Sequence, residues 1–196
     1  MIRTATIARK TKETDVRLRL NLDGTGAARV KTTLPFLDHM LTLSAKHGLL
    51  DLDVSARGDT QVDAHHLVED LGICLGQALA KALGTKAGIT RFAAAFVPMD
   101  EALARVVVDL SGRSALVYDA AFKRSGHKDE FDFDLLEDFL GAVTTAAGMN
   151  LHVRVEYGRN NHHVAEAIFK AFGRAVGEAA SRNPRVRGVP STKGRL

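Results

Sequence analysis

Apolar and polar residues alternate with a period of two over about 2–8, 15–22, 50–57, 91–97, 103–110, 114–122 and 150–157, which predicts a strand at each. Leu50, Leu52, Val54 and Leu151, Val153, Val155 show that period directly. A period near 3.6 over about 35–47, 65–83, 134–147 and 163–181 predicts four helices. Pro35 suits the first turn of its helix, where no N–H is needed. Asn183-Pro184 closes the last helix, and a tail rich in Gly, Pro and Arg follows. Cys74 shares an apolar stripe with Leu67, Leu71 and Leu75, so it reads as a core residue.

The order of elements repeats. Strands, a helix, a strand and a long helix fill 1–87, and the same series fills 88–182, leaving 183–196 as a tail. The predicted fold class is α+β, built from two duplicated half-domains. Gly48 through Gly58 aligns with Gly148 through Gly158 at an offset of 100. Each stretch then enters a helix through a doubled histidine and a glutamate, His65-His66-x-x-Glu69 and His162-His163-x-x-Glu166.

On a helix, residues i and i+4 share a face, so His65 with Glu69 and His162 with Glu166 each present an imidazole and a carboxylate to one point. His66 and His163 point about 100° away and reach a second point. Two imidazoles and a carboxylate without thiolate suit borderline to hard divalent ions such as manganese, iron or zinc. Asp70 is expected to orient one of these ligands from behind. His39 sits near the start of the first short helix. In the other half, Asp138 stands opposite His39 if a one-residue shift is allowed, and opposite Asp38 if not.

Composition narrows the rest. Of 196 residues, 45% are apolar and 26% charged, so disorder and fibrous folds are excluded. A single cysteine excludes an intrachain disulfide and a thiolate zinc cage. No apolar run reaches 18 residues, and the first residues lack the apolar core of a secretory signal, which points to the cytoplasm. The net charge of +4 suits an anionic ligand, but with no Trp and two Tyr the chain has few platforms for stacking nucleic-acid bases. Gly24-x-Gly26 lacks a third glycine for dinucleotide binding. Asp51-Leu52-Asp53-Val54 is similar to a phosphatase nucleophile motif, but its repeat partner lacks both acids. His127 reads as a solvated loop residue, and His152 lies on the opposite strand face from Leu151 and Val153.

Leu37-Asp38-His39-Met40-Leu41, the two paired-histidine helices, Gly148-Met149-Asn150-Leu151-His152 and the tail Pro190-Ser191-Thr192-Lys193-Gly194 together resemble the imidazoleglycerol-phosphate dehydratase family, over about 3–196. The resemblance implies a hydro-lyase of histidine biosynthesis that converts imidazole glycerol phosphate to imidazole acetol phosphate. It implies four helices between two mixed sheets (ribosomal protein S5 domain 2-like) and two manganese ions per active site. It also implies assembly into a 24-subunit homo-oligomer with sites formed between subunits.

Position by position, the resemblance makes His39, His65, His66, Glu69, Asp138, His162, His163 and Glu166 metal ligands, with a histidine more usual at the position of Asp138. It makes Glu13 the substrate-contacting base, with Glu69 and Glu166 also counted as catalytic. His47, Arg91, Arg113, Lys170, Ser191, Thr192 and Lys193 become substrate-binding residues, with Arg91, Arg113 and the tail residues Ser191, Thr192 and Lys193 for the phosphate. A twofold metal site suits a ring with two nearly equivalent nitrogens, each ion holding one and stabilising the imidazolate. Two other readings fit part of the pattern: a two-metal phosphoester hydrolase, and a basic nucleic-acid-binding protein whose histidines store metal.

Overall fold

The structure is a computed structural model that describes residues 3–123 and 131–196; His127 lies outside them. Among the described residues the elements run β1 (Thr4–Lys10), β2 (Thr14–Asn21), β3 (Ala28–Lys31), α1 (Pro35–Gly48), β4 (Asp51–Gly58), α2 (His65–Leu83), β5 (Phe92–Met99), β6 (Ala102–Asp109), β7 (Ala115–Asp119), α3 (Leu135–Ala147), β8 (Asn150–Tyr157) and α4 (Asn161–Ala180). The strands form two four-stranded sheets of the same plan, β1-β2-β4-β3 and β5-β6-β8-β7. In each, three strands are antiparallel and the last, β3 or β7, is parallel to its neighbour.

Strand β3 corrects the sequence reading, which had three strands in the first half and four in the second. Its Ala28-Arg29-Val30-Lys31 has only two apolar residues, both partly exposed, so the alternation is too short to register. Its place is set by pairing with β4, an interaction between residues 24 apart. Helix α4 also begins earlier than its periodicity indicates. Asn160 accepts the His162 N–H at 2.9 Å, a side-chain cap that draws both histidines into the first turn.

One face of each sheet is apolar and buried: Val16, Leu18 and Leu20 on β2 and Ala104, Val106 and Val108 on β6 turn towards the helices. Helices α1 and α2 cover the first sheet, α3 and α4 the second, and the two helical layers meet in the middle. Across that seam α1 runs beside α4 and α2 beside α3. The pairs are parallel: His39 meets Glu166 near the helix starts, while Gly48 lies against Gly173 and Gly177 further along. Gly72 and Gly76 of α2 likewise admit the backbone of α3 at Phe139 and Val143. Because β4 returns the chain from α1 to α2, and β8 from α3 to α4, all four helices start at one end.

The register settles the alignment of the two halves. Asn21 pairs with Asp51, and Asp109 with Asn150, an offset of 99 between β4 and β8. The left-handed residues closing α1 and α3, Leu49 at φ 54° and Gly148 at φ 61°, differ by the same 99. Asp138 is therefore the counterpart of His39, not of Asp38. The offset becomes 100 by Gly158 because the pairing shifts between Leu103 and Ala104, which leaves Glu156 as an extra residue.

Candidate metal centre

His39 Nε2 lies 3.0 Å, and His162 Nε2 2.9 Å, from the same oxygen, Glu166 Oε1. The donor atoms of the three residues all fall within 4.8 Å of one another. Two come from α4, one turn apart, and the third from α1 in the other half. Phe36 presents its ring to the His162 imidazole edge-on at 5.5 Å. Lys170 Nζ holds the second oxygen of Glu166 at 2.5 Å. Burial works to raise the Glu166 pKa, but Lys170, His39 and His162 prevail and hold the carboxyl down to about 2. An ionised carboxylate between two imidazoles is a donor set suited to a hard or borderline divalent ion.

The related site is more open. His65 Nδ1 lies 3.3 Å from Asp138 Oδ2, joining α2 to α3 as His39 joins α1 to α4. Glu69, the counterpart of Glu166, is exposed and lines an open cleft with Asp138 and Glu137. The position matching Lys170 is Ile73, which offers no cation to draw Glu69 inwards.

The second histidines face other groups. His66 Nδ1 is 3.1 Å from Asp59 Oδ2 and 3.9 Å from Glu13 Oε2. His163 Nδ1 is 2.6 Å from Glu101 Oε2, with Asp100 Oδ2 3.8 Å from its other ring nitrogen. Asp59 raises the His66 pKa, and Glu101 raises that of His163. The His163 hydrogen bond and backbone N–H groups in turn hold Glu101 down to about 2. Asp70 does not serve a histidine: Arg9 Nε donates to it at 2.7 Å and Thr14 Oγ1 donates to its other oxygen, tying β1 and β2 to α2.

The residues expected to hold phosphate lie at the opposite end. The Arg91 backbone N–H meets Ala179 O in the last turn of α4. That is roughly 20 Å along the axis from Glu166 at 1.5 Å per residue. Its guanidinium is engaged with Asp109 at 2.8 and 3.2 Å and with Pro190 O at 2.8 Å, an anchor for the tail. Arg113 is exposed in the β6–β7 turn, and the chain end at Leu196 packs on the adjacent Gly112. Ser191, Thr192 and Lys193 form a turn in which Ser191 Oγ accepts the Lys193 N–H at 3.2 Å.

A profile of imidazoleglycerol-phosphate dehydratase matches residues 32–176. Relatives named imidazoleglycerol-phosphate dehydratase are 56% identical over 196 residues in Geobacillus sp. (strain WCH70), covering 100% of both chains, and 54% identical over 195 residues in Bacillus subtilis (strain 168), again covering 100% of both. The chain belongs to the imidazoleglycerol-phosphate dehydratase family. It is a hydro-lyase of histidine biosynthesis acting on a small phosphate-bearing substrate. The Staphylococcus aureus dehydratase crystal structure is similar at a TM-score of 0.82 and 37% identity, over 92% of this chain and 99% of that one. The Pyrococcus furiosus enzyme, solved in complex with (S)-C348, also reaches 0.82, at 35% identity, over 97% and 100%.

Within this dehydratase fold the sequence reading overlooked Asp59 and Glu101. A signal for Glu101 exists: it immediately precedes β6 as Glu13 immediately precedes β2. His47 lies in the last turn of α1 with its side chain only partly shielded from water, and that partial desolvation, followed by the charges of Lys170 and Arg174, lowers its pKa. His152 stands on the outer face of the second sheet, paired with Val107 and Val117. No described helix is long and apolar enough to cross a membrane.

Proposed function

We propose that this dehydratase converts imidazole glycerol phosphate to imidazole acetol phosphate with two manganese ions per active site, in sites completed by neighbouring copies of the chain. The observation that carries the reading is the convergence of His39 from one half with His162 and Glu166 from the other. His65, Asp138 and Glu69 supply the repeat-related donors, and His66 and His163 are the ligands offered outward to a second point. When bound, the ions supply Lewis acidity that favours the imidazolate form of the substrate ring.

The chain's own groups do the remaining work. Glu13 is exposed beside His66 and, among the described residues, pairs with no lysine or arginine, so its carboxylate is free to accept a carbon-bound proton. Lys170 keeps Glu166 ionised. Arg113, Ser191, Thr192 and Lys193 bind the phosphate, and Arg91 fixes the tail that carries the last three.

Sharing between copies follows from the separation of the two ends. Within one chain the metal donors and the phosphate donors stand too far apart to grip one small molecule, so a neighbour must present its tail to the histidines. Phe92, Phe96 and Val117 are 56%, 59% and 50% exposed on the outer face of the second sheet, an apolar surface suited to such contact. A 24-subunit shell in the cytoplasm is the form this reading favours.

The test is a dehydratase assay on purified protein before and after chelation, with metal content and native mass. The expected result is a large particle holding two manganese ions per chain, whose activity is lost on chelation and returns with Mn²⁺. Full turnover by a metal-free monomer would refute the reading.

A further inference from the structure

Duplication places equivalent carboxylates, Glu13 and Glu101, before the second strand of each hairpin, yet the two have diverged. In the first half it is Asp59, from the β4–α2 loop, that meets His66 Nδ1 at 3.1 Å. Glu13 stands back at 3.9 Å and is 53% exposed. In the second half the matching loop residue, with Gly58 aligned on Gly158, is Arg159, which has no acceptor. Glu101 itself closes on His163 Nδ1 at 2.6 Å. Its other oxygen accepts the backbone N–H groups of Arg159 at 3.1 Å and Asn160 at 2.8 Å. Both oxygens are thus engaged, and the hairpin turn is clamped to the loop that opens α4.

We propose that Glu101 is a positioning residue for His163: by accepting the Nδ1 proton it fixes the tautomer and rotation of the ring and leaves Nε2 as the outward donor. A neutral imidazole carries one N–H, and a carboxylate against Nδ1 holds that proton there, because two facing lone pairs repel. Asp100 Oδ2, at 3.8 Å from Nε2, is too distant to compete by hydrogen bonding. Asp59 performs the same task for His66, and this releases Glu13 from the histidine it would otherwise serve. Of two carboxylates made equivalent by duplication, one orients a ligand and the other remains open to substrate. The inference rests on the reading of His163 as a metal ligand.

The test is a manganese titration of the assembled enzyme, following the six-line electron paramagnetic resonance signal of the free ion, with a thermal unfolding curve for each variant. Glu101→Gln and Glu101→Ala are expected to weaken binding at one class of site by about 10- to 100-fold. Alanine should have the larger effect, because glutamine keeps a carbonyl oxygen for the Nδ1 proton. Glu13→Gln should leave affinity unchanged. Wild-type affinity in both Glu101 variants, with or without a lower melting temperature, overturns the positioning role and leaves the metal reading standing. Absence of tight manganese binding in the unaltered enzyme overturns both.

Discussion

Gly173 is where the helix pairing that carries the candidate metal donors can be tested by a single methyl group. A Cβ built there would lie 2.8 Å from both the carbonyl carbon and the Cα of Ser44, and nearer still to the Ser44 oxygen. Ordinary contact begins at 3.4 Å, so α1 and α4 would have to separate by about 0.6 Å to clear those carbons and by more to clear the oxygen. Overpacking of this kind costs about 1–3 kcal/mol, and roughly 2–4 °C of melting temperature accompanies each kcal/mol in a chain of this size. His39 rides on α1 little more than one turn before Ser44, so the same displacement opens its 3.0 Å approach to Glu166. Ligand distances at a metal tolerate only about 0.2 Å, so manganese affinity should fall together with stability.

Gly141 is the matched control. It lies inside α3, and its added Cβ would meet only Leu116 Cδ2 at 3.7 Å, an ordinary contact. Gly141→Ala should therefore stabilise, by about 0.5–1 kcal/mol, through the lower backbone entropy of alanine in the unfolded chain. Thermal unfolding and manganese titration of Gly173→Ala and Gly141→Ala, side by side, provide the measurement. If Gly173→Ala melts at or above the wild-type temperature and binds manganese as tightly, close helix approach does not hold the donors together, and the argument fails.

Three further outcomes are expected. Glu13→Gln should lower kcat by about 10²- to 10⁴-fold with manganese content intact, and an active variant would dismiss Glu13 as the base. Arg113→Ala should raise KM strongly, whereas an unchanged KM would remove the phosphate from that turn. In the metal-free protein, Glu166 is held at about 2 against an ordinary 4.5. A lowered folded-state pKa contributes stability that is present above about pH 4.5 and is lost as pH falls towards 2. Acid unfolding of Glu166→Gln should lack that part of the pH dependence, and identical profiles would argue against it.

The candidate site was partly legible because its donors sit in helical spacing. His162 and Glu166 meet at one point since four residues make about one turn, and that geometry is local. The equivalence of His39 and Asp138 was not fixed locally. An offset of 100 looked natural from the aligned glycines, and only strand register showed that one extra residue had been absorbed near Glu156. Asp59 and Glu101 escaped notice for a similar reason: each reaches its histidine across a turn, and the one mark either carries, the position of Glu101 just before β6, matches Glu13 only once the strands of the two halves are aligned. Glu69 illustrates the converse. Its motif matches that of Glu166, but without a lysine one turn later it stays in solvent.

The sequence by itself determined the repeating units, the four helices, most of the strands and the residue types suited to a metal, because periodicity and helical spacing are short-range properties. Tertiary structure alone decided β3, whose four residues form a strand only against β4, and the mixed pairing of α1 with α4 and α2 with α3. It also decided that the candidate metal donors and the residues expected to hold phosphate lie at opposite ends of the fold. Those outcomes depend on contacts between residues far apart in sequence, such as Ser44 with Phe169 and Arg91 with Pro190, and no local pattern encodes the distances between them.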